Sequence, residues 1–187
     1  MILKNVNGAT VKQRGNKGRI SLMPFTQRAK PQVKPCRYKG GIVMRALICY
    51  LSYSGNTEEA AELIGQRLAA EGFHVDWCDI GAERPQKPAD YDYIFIGTFT
   101  WARGQTPDEV KDFVLDLGYK PENVAVFGTG DTQFGGDAMF CRAVDKLVKF
   151  YASKWPGLKI EQSPRGTQEK IVHQWLEGVL CDAKHHA

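Results

Sequence analysis

The chain has 187 residues, of which 43% are hydrophobic and 25% are charged, and its formal net charge is +4. This length suits one compact α/β domain. No stretch approaches the roughly 20 apolar residues of a membrane span, and no secretory signal is visible. The five cysteines are odd in number and lack Cys-x-x-Cys spacing. These features favour a reducing, cytoplasmic setting.

The charge is unevenly distributed along the chain. Residues 1–43 hold ten Lys or Arg and no acid, whereas the other 144 residues hold 15 bases and 21 acids. We predict a disordered basic extension over 1–43, a folded domain over 44–182 and a tail over 183–187. Three explanations of the extension stay open: a basic binding arm, a targeting peptide, or translation upstream of a natural start at Met44.

Strand and helix patterns alternate from Met44 onward. The predicted elements are a strand at 45–51, a helix at 58–70, a strand at 73–80, a polar connection at 81–88, a strand at 91–98, a helix from 107, a strand at 123–128, a helix at 139–151, a strand at 158–160 and a helix at 168–181. Five strands with intervening helices predict an α/β three-layer sandwich around a parallel sheet in the order 2-1-3-4-5. Ligands of such sheets bind at the carboxyl ends of the strands, between strands one and three.

The first strand leads into a loop of hydroxyl side chains, Ser52-Tyr53-Ser54-Gly55-Asn56-Thr57. A helix that begins after such a loop directs its first backbone N–H groups at an anion. The loop has no Lys or Arg and lacks the Gly-Lys-Ser/Thr ending of a Walker loop. It therefore predicts a pocket for a monophosphate rather than an ATP site.

The loops after strands three and four carry aromatic residues and glycines. Trp101 follows strand three, and its flat face suits stacking on a ring. The segment 128–137 after strand four contains four glycines and Phe134. Glycines let the backbone approach a planar ligand closely. A phosphate pocket beside two aromatic loops predicts a site for a phosphorylated flat heterocycle, namely FMN.

Residues 44–181 resemble short-chain flavodoxins. The 52–57 loop is similar to the phosphate loop of that family. Thr100-Trp101 with Gly104 and Pro107 resembles the first ring-flanking loop, and Gly128-x-Gly130-Asp131 with Phe140-Cys141 resembles the second.

The resemblance implies a monomer that holds FMN non-covalently, with the ring between Trp101 and Phe134. It also implies that single electrons pass from a flavodoxin or ferredoxin reductase-type donor to acceptor redox enzymes, with no catalytic residue and no membrane involved, and no nucleic acid is expected to bind the folded domain. The residues expected to bind the cofactor are Ser52, Tyr53, Ser54, Gly55, Asn56, Thr57, Thr98, Phe99, Thr100, Trp101, Ala102, Arg103, Gly104, Thr129, Gly130, Asp131 and Phe134.

One departure concerns charge beside the ring. Flavodoxins commonly have Gly-Asp-Gly-Glu after the Trp, and this chain has Ala102-Arg103-Gly104-Gln105. A cation favours the anionic reduced ring, so we predict a less negative potential for the second one-electron reduction than in a typical flavodoxin. Potentiometry of wild type and Arg103→Asp tests this prediction, and equal potentials would contradict it.

Three other functions stay open. The segment 130–136 also resembles the flavodoxin-like activator of class Ib ribonucleotide reductase. An FMN-dependent quinone or azo reductase would need a substrate pocket, and no His lies near the three loops. A binding module without cofactor is the last alternative. The four His show no metal-ligand spacing, so we predict no metal site.

Overall fold

The computed structural model describes residues 43–83, 87–101, 104–133 and 135–181. The predicted extension, apart from Val43, lies outside the described residues, as does the predicted tail over 183–187. The extension and the tail therefore stay predictions.

Strands and helices alternate along the described part of the chain. They are β1 (Arg45–Tyr50), α1 (Asn56–Ala70), β2 (His74–Asp79), β3 (Tyr93–Phe99), α2 (Asp108–Asp116), β4 (Val124–Gly130), α3 (Arg142–Tyr151), β5 (Leu158–Glu161) and α4 (Thr167–Cys181). A short 3₁₀ turn, Pro88–Asp90, precedes β3. None of these helices is long and apolar enough to cross a membrane.

The five strands form one parallel sheet in the order β2-β1-β3-β4-β5. The predicted fold class and strand order are confirmed. β1 and β3 are adjacent, but β1 leads to β2 on one side of this pair, whereas β3 leads to β4 on the other side. The loops that follow β1 and β3 therefore diverge and leave a crevice between them at the carboxyl edge.

Alternating side chains of the sheet build two apolar cores. Ala46, Ile48 and Tyr50 of β1 pack in the core covered by α1 and α4. Leu47 and Cys49 point the other way, into the core covered by α2 and α3. Burial on both faces explains why the central strands are continuous apolar runs in the sequence. It also fixes where each strand ends at the carboxyl edge of the sheet.

Helices α1 and α3 begin more than one residue away from the predicted start, and the backbone explains both differences. Gly55 has a φ of 90°, and α1 starts directly after it at Asn56 instead of residue 58. Cys141 has a left-handed φ of 48°, so α3 starts at Arg142 instead of residue 139. Met139 and Cys141 consequently belong to the loop after β4.

Helix α1 lies close against the sheet at Gly65. A Cβ added there would be 2.5 Å from the Cη2 and Cζ2 atoms of the Trp77 indole on β2. The absence of a side chain at Gly65 therefore sets how near α1 approaches the sheet. The position of the first turn of α1 at the carboxyl edge depends on this approach.

Candidate functional site

The loop between β1 and α1 has the geometry of an anion site. The backbone N–H of Gly55 donates to Ser52 Oγ at 3.1 Å, and the N–H of Glu59 donates to the Gly55 carbonyl at 2.8 Å. Among the described residues, no side chain caps α1. The N–H groups of its first turn have no partner within the helix itself, so they are positioned to donate to an anion.

A buried hydroxyl pair joins this loop to β4. The Oγ1 atoms of Thr57 and Thr129 are 2.8 Å apart, and the two residues are 1% and 4% exposed. A buried hydroxyl without a partner is costly, so the pair fixes the first turn of α1 against the end of β4. Thr57 is therefore a buried residue that stabilises the loop and does not line the cavity.

The loop after β3 is held to α3 at two points. The N–H of Ala143 donates to Thr100 Oγ1 at 3.1 Å, and Lys146 Nζ donates to the Gly104 carbonyl at 2.8 Å. Within the loop, Trp101 and Gln105 exchange backbone hydrogen bonds of 2.8 and 3.1 Å. These bonds fix the backbone that carries the Trp101 indole.

Three aromatic rings meet at this end of the crevice. The ring of Tyr53 lies 4.9 Å from that of Phe99 and 5.9 Å from the indole of Trp101, centroid to centroid. Phe99 and Trp101 are 5.8 Å apart in an edge-to-face arrangement. Tyr53 is 60% exposed and Trp101 is 54% exposed. The cluster therefore presents aromatic surface that a ligand could cover.

The hydroxyl of Tyr53 donates to the carboxylate of Glu109 in the first turn of α2. This hydrogen bond raises the pKa of Tyr53 above its ordinary value and lowers the pKa of Glu109. The pair connects the loop after β1 to the helix that follows the Trp101 loop.

The loop after β4 forms the opposite side. The N–H of Gln133 donates to Asp131 Oδ1 at 2.8 Å. The thiol of Cys141 is buried and lies 3.7 Å from the Gly128 carbonyl. Burial raises the pKa of Cys141 to about 12, so the thiol stays protonated and packs under the loop rather than acting as a nucleophile.

A cavity of about 840 Å³ joins the three loops. Its volume is within the usual range for sites that bind small molecules and cofactors. Its lining comprises Tyr53, Ser54, Asn56, Phe99, Thr100, Trp101, Thr129, Gly130, Asp131, Met139, Cys141 and Gln162.

Most of the predicted site residues come together here. Nine of them line the cavity: Tyr53, Ser54, Asn56, Phe99, Thr100, Trp101, Thr129, Gly130 and Asp131. Five lie in these loops or in the strand or helix ends next to them without being part of the lining: Ser52, Gly55, Thr57, Thr98 and Gly104. Three lie outside the described residues: Ala102, Arg103 and Phe134.

The list of expected cofactor-binding residues left out three lining residues, Met139, Cys141 and Gln162. Met139 and Cys141 fell within the helix predicted over 139–151, and Cys141 was noted only as part of the resemblance to the second ring-flanking loop. Gln162 follows β5, and the rule that parallel strands end at one edge could have identified it. Within the described part of the chain, no group of three or more His, Cys, Asp or Glu could hold a metal ion.

Comparisons with known proteins agree with this fold. The flavodoxin family profile matches residues 48–175. Probable flavodoxin 2 of Bacillus subtilis strain 168 is 36% identical over 135 residues, covering 67% of this chain and 87% of that protein. The flavodoxin of Maridesulfovibrio salexigens is 31% identical over 148 residues, covering 72% and 96% respectively.

Solved structures give the same result. The crystal structure of oxidised Flavodoxin 2 from Bacillus cereus superposes with a TM-score of 0.64 at 31% identity and covers 74% of this chain and 99% of that one. The family profile, the sequence relatives and the solved structures all indicate the same family. This chain belongs to the flavodoxins.

Proposed function

We propose that this protein carries single electrons on non-covalently bound FMN. The observation that carries the proposal is one cavity that reaches from an anion-binding helix start to an exposed indole. A phosphate at one end and a flat ring at the other require these two features at a fixed separation. Bound FMN would supply a ring that accepts and releases electrons singly.

The phosphate end is suited to a dianion without a cationic side chain. The first N–H groups of α1 and the side chains of Ser54 and Asn56 are the available donors at this end. Hydrogen bonds to a charged acceptor are about twice as strong as neutral ones. The helix dipole adds to the attraction. Neutral donors can therefore hold the phosphate in place.

The ring end suits a planar aromatic group. Trp101 lines the cavity and is half-exposed, so a ring that stacks on it would bury apolar surface. Thr100 and Gly104 fix the loop through their contacts with α3. Phe134 stays the predicted partner for the second face of the ring.

For the partners, we propose a reductase-type flavoprotein as donor and redox enzymes as acceptors, with the carrier acting as a cytoplasmic monomer. Asp108 is exposed at the start of α2, and Asp131 lines the cavity. Acidic groups around the site would steer a basic partner towards the ring, and salt would weaken this steering.

The test is reconstitution of purified protein with FMN, followed by visible spectroscopy during dithionite titration. We expect stoichiometric FMN uptake and accumulation of one-electron-reduced flavin before full reduction. A protein that takes up no FMN would overturn the proposal. The same preparation separates the other functions: rapid reduction by NADPH alone would indicate a reductase, and superoxide production that depends on the manganese subunit would indicate a ribonucleotide reductase activator.

A further inference from the structure

The loop between β5 and α4 turns back into the cavity at Gln162. The residue has a left-handed φ of 55°, which is unfavourable for any residue that has a Cβ atom. Its N–H donates to the Gly130 carbonyl at 2.7 Å, and its Nε2 donates to Asp131 Oδ2 at 3.2 Å. These two hydrogen bonds hold Gln162 against the end of β4, where it lines the cavity.

The residues on either side of Gln162 attach the loop to two other parts of the site. The carboxylate of Glu161 accepts from the N–H and hydroxyl of Thr132 at 2.9 and 3.2 Å. Ser163 and Arg165 donate to the carboxylate of Glu59 at 2.7 and 2.9 Å. The loop thus connects the segment after β4 to the first turn of α1, directly beyond the phosphate loop.

We infer that Gln162, held in place by residues 161–166, forms a fourth wall of the FMN site and is a positioning residue acting through Asp131. This inference rests on the proposed function. The Asp131 carboxylate accepts one bond from Gln133 N–H and one from Gln162 Nε2, so both of its oxygens are oriented. The distance of this carboxylate from a bound ring would determine how strongly its negative charge repels the anionic reduced form.

The loss of the Gln162 amide has a predictable direction. Without this donor, Asp131 Oδ2 has one hydrogen bond fewer, and the carboxylate is compensated less beside the ring. The anionic reduced flavin is then disfavoured, and the second one-electron potential becomes more negative. Asp131 also becomes less ordered in the free protein, so FMN binds more weakly.

The test compares Gln162→Gly with wild type in the full chain reconstituted with FMN. Glycine accepts the left-handed backbone and removes only the side chain. We expect FMN to bind roughly two- to fivefold more weakly, as the loss of one hydrogen bond at a partly exposed site implies, and the second potential to be more negative. The urea midpoint of the apoprotein should not fall. Gln174→Ala, an exposed substitution on α4, is the matched control and should change neither value.

The outcomes separate this inference from the proposed function. If wild type binds FMN and Gln162→Gly has the wild-type affinity and potential, the fourth wall is wrong while the proposed function stands. If wild type does not bind FMN, the proposed function fails, and the inference fails with it. A fall in the urea midpoint of Gln162→Gly without a change in potential would assign the residue a purely structural role and also overturn the inference.

Discussion

The two ends of the cavity are built in different ways. The phosphate end comes from one contiguous segment, residues 52–57, which is locked by the buried Thr57–Thr129 pair. The ring end combines two segments, because Tyr53 of the 52–57 loop meets Phe99 at the end of β3 and Trp101 just after it. Tyr53 and Trp101 are more than half exposed. The phosphate end is preorganised before a ligand binds, whereas the ring end has exposed aromatic surface that a ligand could bury.

This difference suggests that the two ends of the cavity have different roles. A preorganised cluster of donors gives affinity because little order is lost when the ligand binds. Exposed aromatic rings leave the edge of a bound ring near solvent, where another protein can reach it. We therefore expect changes at the phosphate end to affect binding most, and changes at the ring end to affect electron exchange as well.

The largest expected effect is the loss of the phosphate itself. Riboflavin should bind at least about 100-fold more weakly than FMN, because several charge-assisted hydrogen bonds are lost together. Quenching of flavin fluorescence measures both dissociation constants. As a control, Ser54→Ala should weaken FMN binding and leave riboflavin binding unchanged. Equal affinities for the two flavins would contradict a phosphate end.

The next effect is on stability. Thr57→Val leaves the buried Thr129 hydroxyl without its partner and should lower the free energy of unfolding of the apoprotein by about 1–3 kcal/mol. Urea denaturation measures the change. The double variant with Thr129→Val removes both hydroxyls and should lose less than the single variant. If the two losses simply add, the pair does not lock the loop.

A smaller effect is expected at the ring end. Trp101→Ala removes a stacking partner and should weaken FMN binding by about tenfold. Because the indole is 54% exposed, the free energy of unfolding of the apoprotein should change by less than about 0.5 kcal/mol. Tyr119→Ala, which removes an exposed ring elsewhere, is the control and should leave FMN binding unchanged. A large loss of apoprotein stability in Trp101→Ala would place the indole in the core instead.

The smallest effect concerns the Tyr53–Glu109 pair and depends on pH. The hydrogen bond lowers the pKa of Glu109 below its usual 4.5, so its stabilisation is present above that pH and is lost as the pH falls through the lowered pKa. Tyr53→Phe removes the bond. Apoprotein urea midpoints of wild type and variant should therefore differ slightly at pH 7 and converge as the pH falls below the lowered pKa of Glu109.

Tyr119→Phe is the control for this pH dependence, because it removes an exposed phenol hydroxyl outside the site. Its difference from wild type should be the same at both pH values. A Tyr53→Phe difference that is unchanged at low pH would contradict the ionic character of the pair.

The parts of the site that the sequence predicted are those encoded locally. The apolar run before Ser52 and the residues up to Thr57 are contiguous, so a strand, a turn and a helix start can be recognised together. The strand order followed from the number and spacing of the elements. Trp101 was identified because a large aromatic residue in a polar loop has little opportunity to enter the core, and it is indeed half-exposed.

The parts that escaped prediction depend on contacts between distant residues. Gln162 stands in a Gln-Ser-Pro segment typical of a surface turn. The end of β5 puts this turn at the carboxyl edge, and the left-handed backbone of Gln162 and its bonds to Gly130 and Asp131 bring it to the cavity. Met139 falls within the helix predicted over 139–151, but the left-handed backbone of Cys141 delays the start of α3 to Arg142, and no local propensity indicates it.

Gly65 places a constraint on any attempt to make this protein more robust. Replacing a glycine inside a helix with alanine is a common stabilising substitution, because it restricts the unfolded chain. Here the new methyl group would collide with the Trp77 indole and push α1 outward. A stabilising substitution in the middle of α1, outside the cavity lining, would then displace the first turn of the helix and impair ligand binding there.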